Sequence, residues 1–153
     1  MKTNIVLSTV LALLALPCGA GTASADALND ITEVLRADST FQACAPLNKI
    51  SISDGQLTLN MCTDQCFGTL QSARLDDLDF AQTRSVQLPG KSDRAFVEVP
   101  CKAKDRCVVM EYGSSFGADC DKSDATKQIT TEINVPIARK EADRLRSLLQ
   151  SVK

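Results

Sequence analysis

This chain has no histidine, no tryptophan, a single tyrosine and no long apolar run beyond its first residues. Without an imidazole, the ordinary Ser-His-Asp triad cannot be built, and the commonest side-chain metal ligand is missing. Basic residues number 17 against 19 acidic ones, with no basic stripe, so the composition speaks against nucleic acid or anionic lipid as the main partner. The one sustained apolar run, residues 5–16, is too short to span a bilayer, so no transmembrane segment is expected.

That run has another meaning. Lys2 supplies a positive start, Pro17 breaks the run, and Ala23-Ser24-Ala25 is a small-x-small cleavage site. The order is that of a secretory signal peptide of bacterial type. Residues 1–25 are therefore read as a leader cut after Ala25, and residues 26–153 as a single domain in the periplasm or outside the cell. A lipid anchor on Cys18 fits poorly, because Ala15, Leu16 and Pro17 precede it.

Beyond Cys18 there are six cysteines: Cys44, Cys62, Cys66, Cys101, Cys107 and Cys120. An even number in an exported chain reads as disulfides rather than as thiolate zinc ligands, and no Cys-x-x-Cys redox pair occurs. Cys101 and Cys107 are expected to bond to each other. The remaining four allow alternatives, of which Cys62–Cys66 with Cys44–Cys120 is favoured. No cofactor and no metal are expected.

The stretch "KISISDGQLTLNM" carries the clearest local signal. Asp54-Gly55 suits a two-residue type I′ turn, which sets Ile52 opposite Leu57 and Ile50 opposite Leu59. Residues 26–37 read as a short helix with Leu28, Ile31, Val34 and Leu35 on one face. "RAFVEVPC" and "RCVVMEYG" read as the two strands of a hairpin, with Val99 opposite Val109. "QITTEINV" alternates as one strand, with Ile129, Thr131, Ile133 and Val135 on one side and Thr130, Glu132 and Asn134 on the other. Pro136 suits the first turn of a closing helix whose apolar stripe is Ala138, Ala142, Leu145, Leu149 and Val152. The sum is an α+β fold: a short N-terminal helix, about six or seven strands in a curved antiparallel sheet or partly open barrel, and a C-terminal helix packed on the sheet.

The Asp54-Gly55 hairpin, the strand pair around Cys101 and Cys107 and the helix over residues 137–152 follow an order that resembles a pleckstrin-homology-like barrel domain. That resemblance implies a scaffold that binds on a sheet edge or loop face. It also implies basic residues in the first hairpin loop of lipid-binding members. Here that loop, Ser53-Asp54-Gly55-Gln56, holds an acid and no base, so phosphoinositide binding does not carry over.

Chemistry-bearing patterns are few. Gly113-Ser114-Ser115-Phe116-Gly117 matches a nucleophile elbow, but Ser115 has no histidine to take its proton and no amphipathic helix follows. The clusters Asp76/Asp77/Asp79 and Asp119/Asp121/Asp124 could hold calcium but lack an EF-hand's glycine and closing glutamate, so they read as solvated loops. The loop between Cys101 and Cys107 offers Lys102, Lys104, Asp105 and Arg106 as a tethered interaction tip. The function expected is therefore non-catalytic binding of a protein or peptide. The alternative is a hydrolase inhibitor presenting residues 102–106, and a small enzyme without histidine chemistry ranks third. N-terminal sequencing of the exported protein should begin at Asp26, and an acylated Cys18 at the terminus would refute the leader reading.

Overall fold

The computed structural model describes residues 25–63, 67–103, 105–113 and 126–152. In chain order they form helix α1 (Ala25–Ala37), a 3₁₀ segment (Ser39–Leu47), β1 (Lys49–Ser53), β2 (Gln56–Cys62), β3 (Gly68–Arg74), β4 (Arg84–Gln87), β5 (Arg94–Pro100), β6 (Val108–Tyr112), β7 (Thr126–Thr130), β8 (Glu132–Ala138) and helix α2 (Arg139–Gln150). Two short 3₁₀ turns, Leu75–Asp77 and Phe80–Gln82, lie between β3 and β4. The fold is α+β. Its strands make two antiparallel sheets, ordered β1-β2-β3-β6-β7 and β4-β5-β8, that do not close into a barrel.

The first hairpin forms as its turn chemistry dictates. Asp54 and Gly55 have φ of 52° and 72°, the left-handed pair a type I′ turn needs. Ile52 then pairs with Leu57 and Ile50 with Leu59, and Ile50, Leu57, Leu59 and Met61 are buried on one face. Helix α1 buries Ala27, Ile31, Val34 and Leu35 and packs along β1.

The expected β5–β6 hairpin does not exist. β5 pairs with β4 and β8, whereas β6 pairs with β3 and β7. Val99 lies opposite Ile133, and Val109 lies opposite Ser72 and Ile129. The Cys101–Cys107 bond is nonetheless present, with Cα atoms 5.9 Å apart. It spans a passage from the smaller sheet to the larger one, not a hairpin end.

"QITTEINV" likewise divides. β7 belongs to the larger sheet and β8 to the smaller, with the chain bending at Thr131. The bend takes Ile129 out of the buried series: it is 53 % exposed, while Ile133, Val135 and Ile137 are fully buried. β8 then runs through Pro136, which pairs with Phe96, and the helix begins only at Arg139. Pro136 is tolerated because β8 is an edge strand, where one row of N–H groups has no strand partner.

The favoured pairing of the other cysteines is also corrected. Cys44 bonds to Cys62, tying the 3₁₀ segment to the end of β2, so neither Cys62–Cys66 nor Cys44–Cys120 forms. Cys66 and Cys120 themselves lie outside the described residues. Buried Asn48 makes the same connection without a covalent bond. Its amide donates to the carbonyls of Phe41 and Cys44, and its oxygen accepts from the Cys62 N–H at 2.6 Å.

One hydrophobic core joins both helices and both sheets. α1 contributes Ile31 and Leu35, β5 Val97 and Val99, β8 Ile133, Val135 and Ile137, and α2 Ala142, Leu145 and Leu149, with Val152 just beyond. Asp38, at the end of α1, ties this assembly together at one rim. Its side chain is fully buried, pairs with Arg94 of β5 at 2.9 Å and accepts the backbone N–H groups of Thr40 and Ala138.

Two outcomes follow for stability. Leu145→Ala should lower the unfolding free energy by about 2–5 kcal/mol in urea titration, since the side chain is fully enclosed. For Asp38, burial pushes the carboxyl pKa up, but the Arg94 guanidinium and the Ala138 and Thr40 donors outweigh it and hold it below the ordinary value. Its contribution is then complete above the unfolded-state value of about 3.9 and disappears as pH falls through the lower native value. Asp38→Asn should be less stable at neutral pH by about 3–5 kcal/mol, the range for breaking a buried pair, and should lose less than the parent on acidification below about pH 4.

Candidate functional site

Residues of both sheets face a common gap. The gap is a cleft of about 470 Å³. One wall comes from the larger sheet: Met61 of β2, Thr69 and Gln71 of β3, and Met110 and Tyr112 of β6. The other comes from the smaller sheet: Phe96 and Glu98 of β5, and Glu132, Asn134 and Pro136 of β8. Phe41 of the 3₁₀ segment contributes to the lining as well. Strand alternation explains the second wall. Ala95, Val97 and Val99 point into the core, so Phe96 and Glu98 must point to the opposite face.

Gln71 joins the two walls. It is buried, donates from Nε2 to the Asn134 carbonyl at 2.6 Å and accepts the Asn134 N–H on Oε1 at 2.9 Å. The side-chain amide thus pairs with edge strand β8 as a neighbouring backbone would. It satisfies a donor and an acceptor that would be costly to leave unpaired.

The charged wall is a three-residue network. Arg84 of β4 reaches Glu98 with Nε at 2.6 Å and Glu132 with Nη2 at 2.9 Å. The Arg84 side chain is itself 54 % exposed, so solvent screens the pairing. One guanidinium against two carboxylates leaves an excess of negative charge beside Phe96 and Tyr112. Partly exposed Phe96 and Tyr112 give the rest of the cleft an apolar surface, over a floor of buried Phe41, Met61 and Met110.

The residues expected to carry function lie elsewhere. Lys102, Asp105 and Arg106 are exposed on the stapled loop, and Lys104 lies outside the described residues. The loop borders Asp76 and Asp77 around a shallow depression of about 380 Å³, and Lys102 N–H donates to the Asp77 carbonyl at 2.8 Å. This places the first acidic cluster beside cationic side chains. Among the described residues no three His, Cys, Asp or Glu side chains converge as a metal group. Ser114, Ser115, Phe116 and Gly117, and the cluster Asp119/Asp121/Asp124, lie outside the described residues.

Sequence reasoning missed the cleft. The alternation already set Glu132 and Asn134 opposite Ile133 and Val135. Only the sheet assignment shows that this face meets Met61, Gln71 and Met110 across the gap.

Comparison with protein-family models, with curated proteins and with solved structures finds no match.

Gln71→Leu keeps the volume but strands the Asn134 donor and acceptor. It should cost about 1–3 kcal/mol in urea unfolding, and an unchanged midpoint would mean that the amide does not hold the sheets together.

Proposed function

We propose that this protein is an exported, non-catalytic binding module whose inter-sheet cleft takes a peptide segment of a protein partner, an apolar side chain followed closely by Lys or Arg. The single observation that carries the reading is the lining of the cleft: partly exposed Phe96 and Tyr112 over a floor of buried Phe41, Met61 and Met110, beside the Arg84-bridged carboxylates Glu98 and Glu132. Such pockets are typical of ligand sites, apolar over most of their surface with a few convergent polar groups. The surplus carboxylate favours a cation next to the apolar anchor, and the ring faces favour the same cation.

Export is supported by the leader-like residues 1–25 and by two disulfides, which persist in oxidising compartments. Among the described residues no helix is long and apolar enough to cross a membrane. The absence of histidine supports a non-catalytic role. The pleckstrin-homology-like order of elements is proposed as the architectural analogy, since such scaffolds bind on a sheet edge or loop face.

A second reading rests on its own observation. Lys102, Asp105 and Arg106 are exposed between the bonded cysteines Cys101 and Cys107, as a tethered inhibitory loop would present them.

Display of a random peptide library on the mature chain should separate the readings. Enriched peptides should share an apolar residue followed closely by Lys or Arg, and Tyr112→Ala or Glu132→Gln should abolish their binding. Enrichment that survives both substitutions but fails with Lys102→Ala/Arg106→Ala would overturn the cleft reading in favour of the loop.

A further inference from the structure

Around the start of α2, past Pro136, which lines both hollows, lies a second and larger concavity of about 1240 Å³. Its chemistry is the reverse of the cleft's. Lys91, Arg94, Arg139 and Lys140 line it. They come from the β4–β5 turn, the start of β5 and the first residues of α2. Thr40, Ser39 and Ser92 add hydroxyls.

Charge in this basin does not cancel. Arg94 is matched by Asp38, and Asp143 by Arg146 at 3.3 Å. Among the described residues Lys91, Arg139 and Lys140 make no ion pair, and Asp93 is the one lining carboxylate left to offset them. An excess of positive charge therefore remains in a concave surface. Arg94 adds orientation. Its side chain is only 14 % exposed and is fixed through Nη1 by both Asp38 oxygens. Its Nε and Nη2 make no hydrogen bond among the described residues, so the guanidinium is held in place with donors unspent.

We propose that this basin binds a phosphate group, free or as the monoester of a small polar molecule. A phosphate monoester carries a charge of about −1.5 to −2 at neutral pH, which suits the surplus of Lys91, Arg139 and Lys140 over Asp93. A fixed guanidinium offers parallel N–H donors to an oxyanion, and the flexible lysines close on it as point charges. The hydroxyls of Ser39, Thr40 and Ser92 suit a hydroxylated body attached to the phosphate. The α2 amides are not the basis of the site: Arg139 N–H is already spent on the Asp93 carbonyl at 2.8 Å.

The test is a heteronuclear NMR titration of the mature protein with inorganic phosphate, glycerol phosphate and glycerol. Both phosphates should give saturable shifts at the backbone amides of Lys91, Ser92 and Lys140 and at the Arg94 Nε–H, and glycerol none. Tighter binding of glycerol phosphate would identify the ester as the form recognised, and tighter binding of inorganic phosphate the free ion. The exposed pair Lys91→Gln/Lys140→Gln should keep the thermal midpoint and weaken binding by about tenfold or more. Absence of saturable shifts at these groups, or affinity unchanged in the double variant, would overturn the proposal.

Discussion

The passages between the two sheets meet at one corner, and that convergence organises the molecule. The β3–β4 connection arrives there through Asp77, Leu78 and Asp79, the β5–β6 connection through Cys101 and Cys107, and the β7–β8 bend through Thr130 and Thr131. Backbone bonds interlock them: Cys101 N–H to the Thr131 carbonyl at 2.8 Å, Cys107 N–H to Thr130 at 3.1 Å, and Asp79 N–H to Pro100 at 2.8 Å. The Cys101–Cys107 bond closes the same corner covalently. A short disulfide loop removes little unfolded-chain entropy, so its larger effect here is positional. It fixes where one sheet hands the chain to the other.

Away from that corner, three buried polar side chains replace backbone pairing that two separate sheets cannot supply. Gln71 pairs with the free edge of β8, Asn48 joins the 3₁₀ segment to β2, and Asp38 gathers the end of α1, the start of β5 and the end of β8. Each is satisfied at two or more atoms. A half-satisfied amide or carboxylate in such a place would destabilise rather than specify. Of the three, Gln71 bridges the two sheets, while Asn48 and Asp38 anchor the segments that flank them. The two concavities carry opposite charge, and Arg84 and Arg94 occupy the two ends of the β4–β5 ladder region.

How much of this was legible depends on how local the determinant is. The Asp54-Gly55 turn fixes its own register, so the first hairpin could be read residue by residue. The α1 face and the Ala142/Leu145/Leu149 stripe follow from helical periodicity alone. Sheet membership is not local. Thr131 continues the alternation of its neighbours while the backbone bends between sheets, and nothing in "TTE" announces it. Pro136 satisfies the rule for a helix start and also the rule for an edge strand, and only the free side of β8 decides between them. Two cysteines a few residues apart fit a hairpin and a corner equally well, so the bond could be read while its setting could not. The cleft was hidden for the same reason: its walls belong to different sheets.

The central claim is that the stapled corner holds the two sheets in register. Hydrogen exchange on the variant Cys101→Ala/Cys107→Ala tests it most directly. The account predicts faster exchange, relative to the parent, at the Asp79, Cys101→Ala, Lys102 and Cys107→Ala amides, with the β1–β2 hairpin amides still protected. Unchanged exchange at the corner would contradict it, as the sheets would then be held in register without the bond.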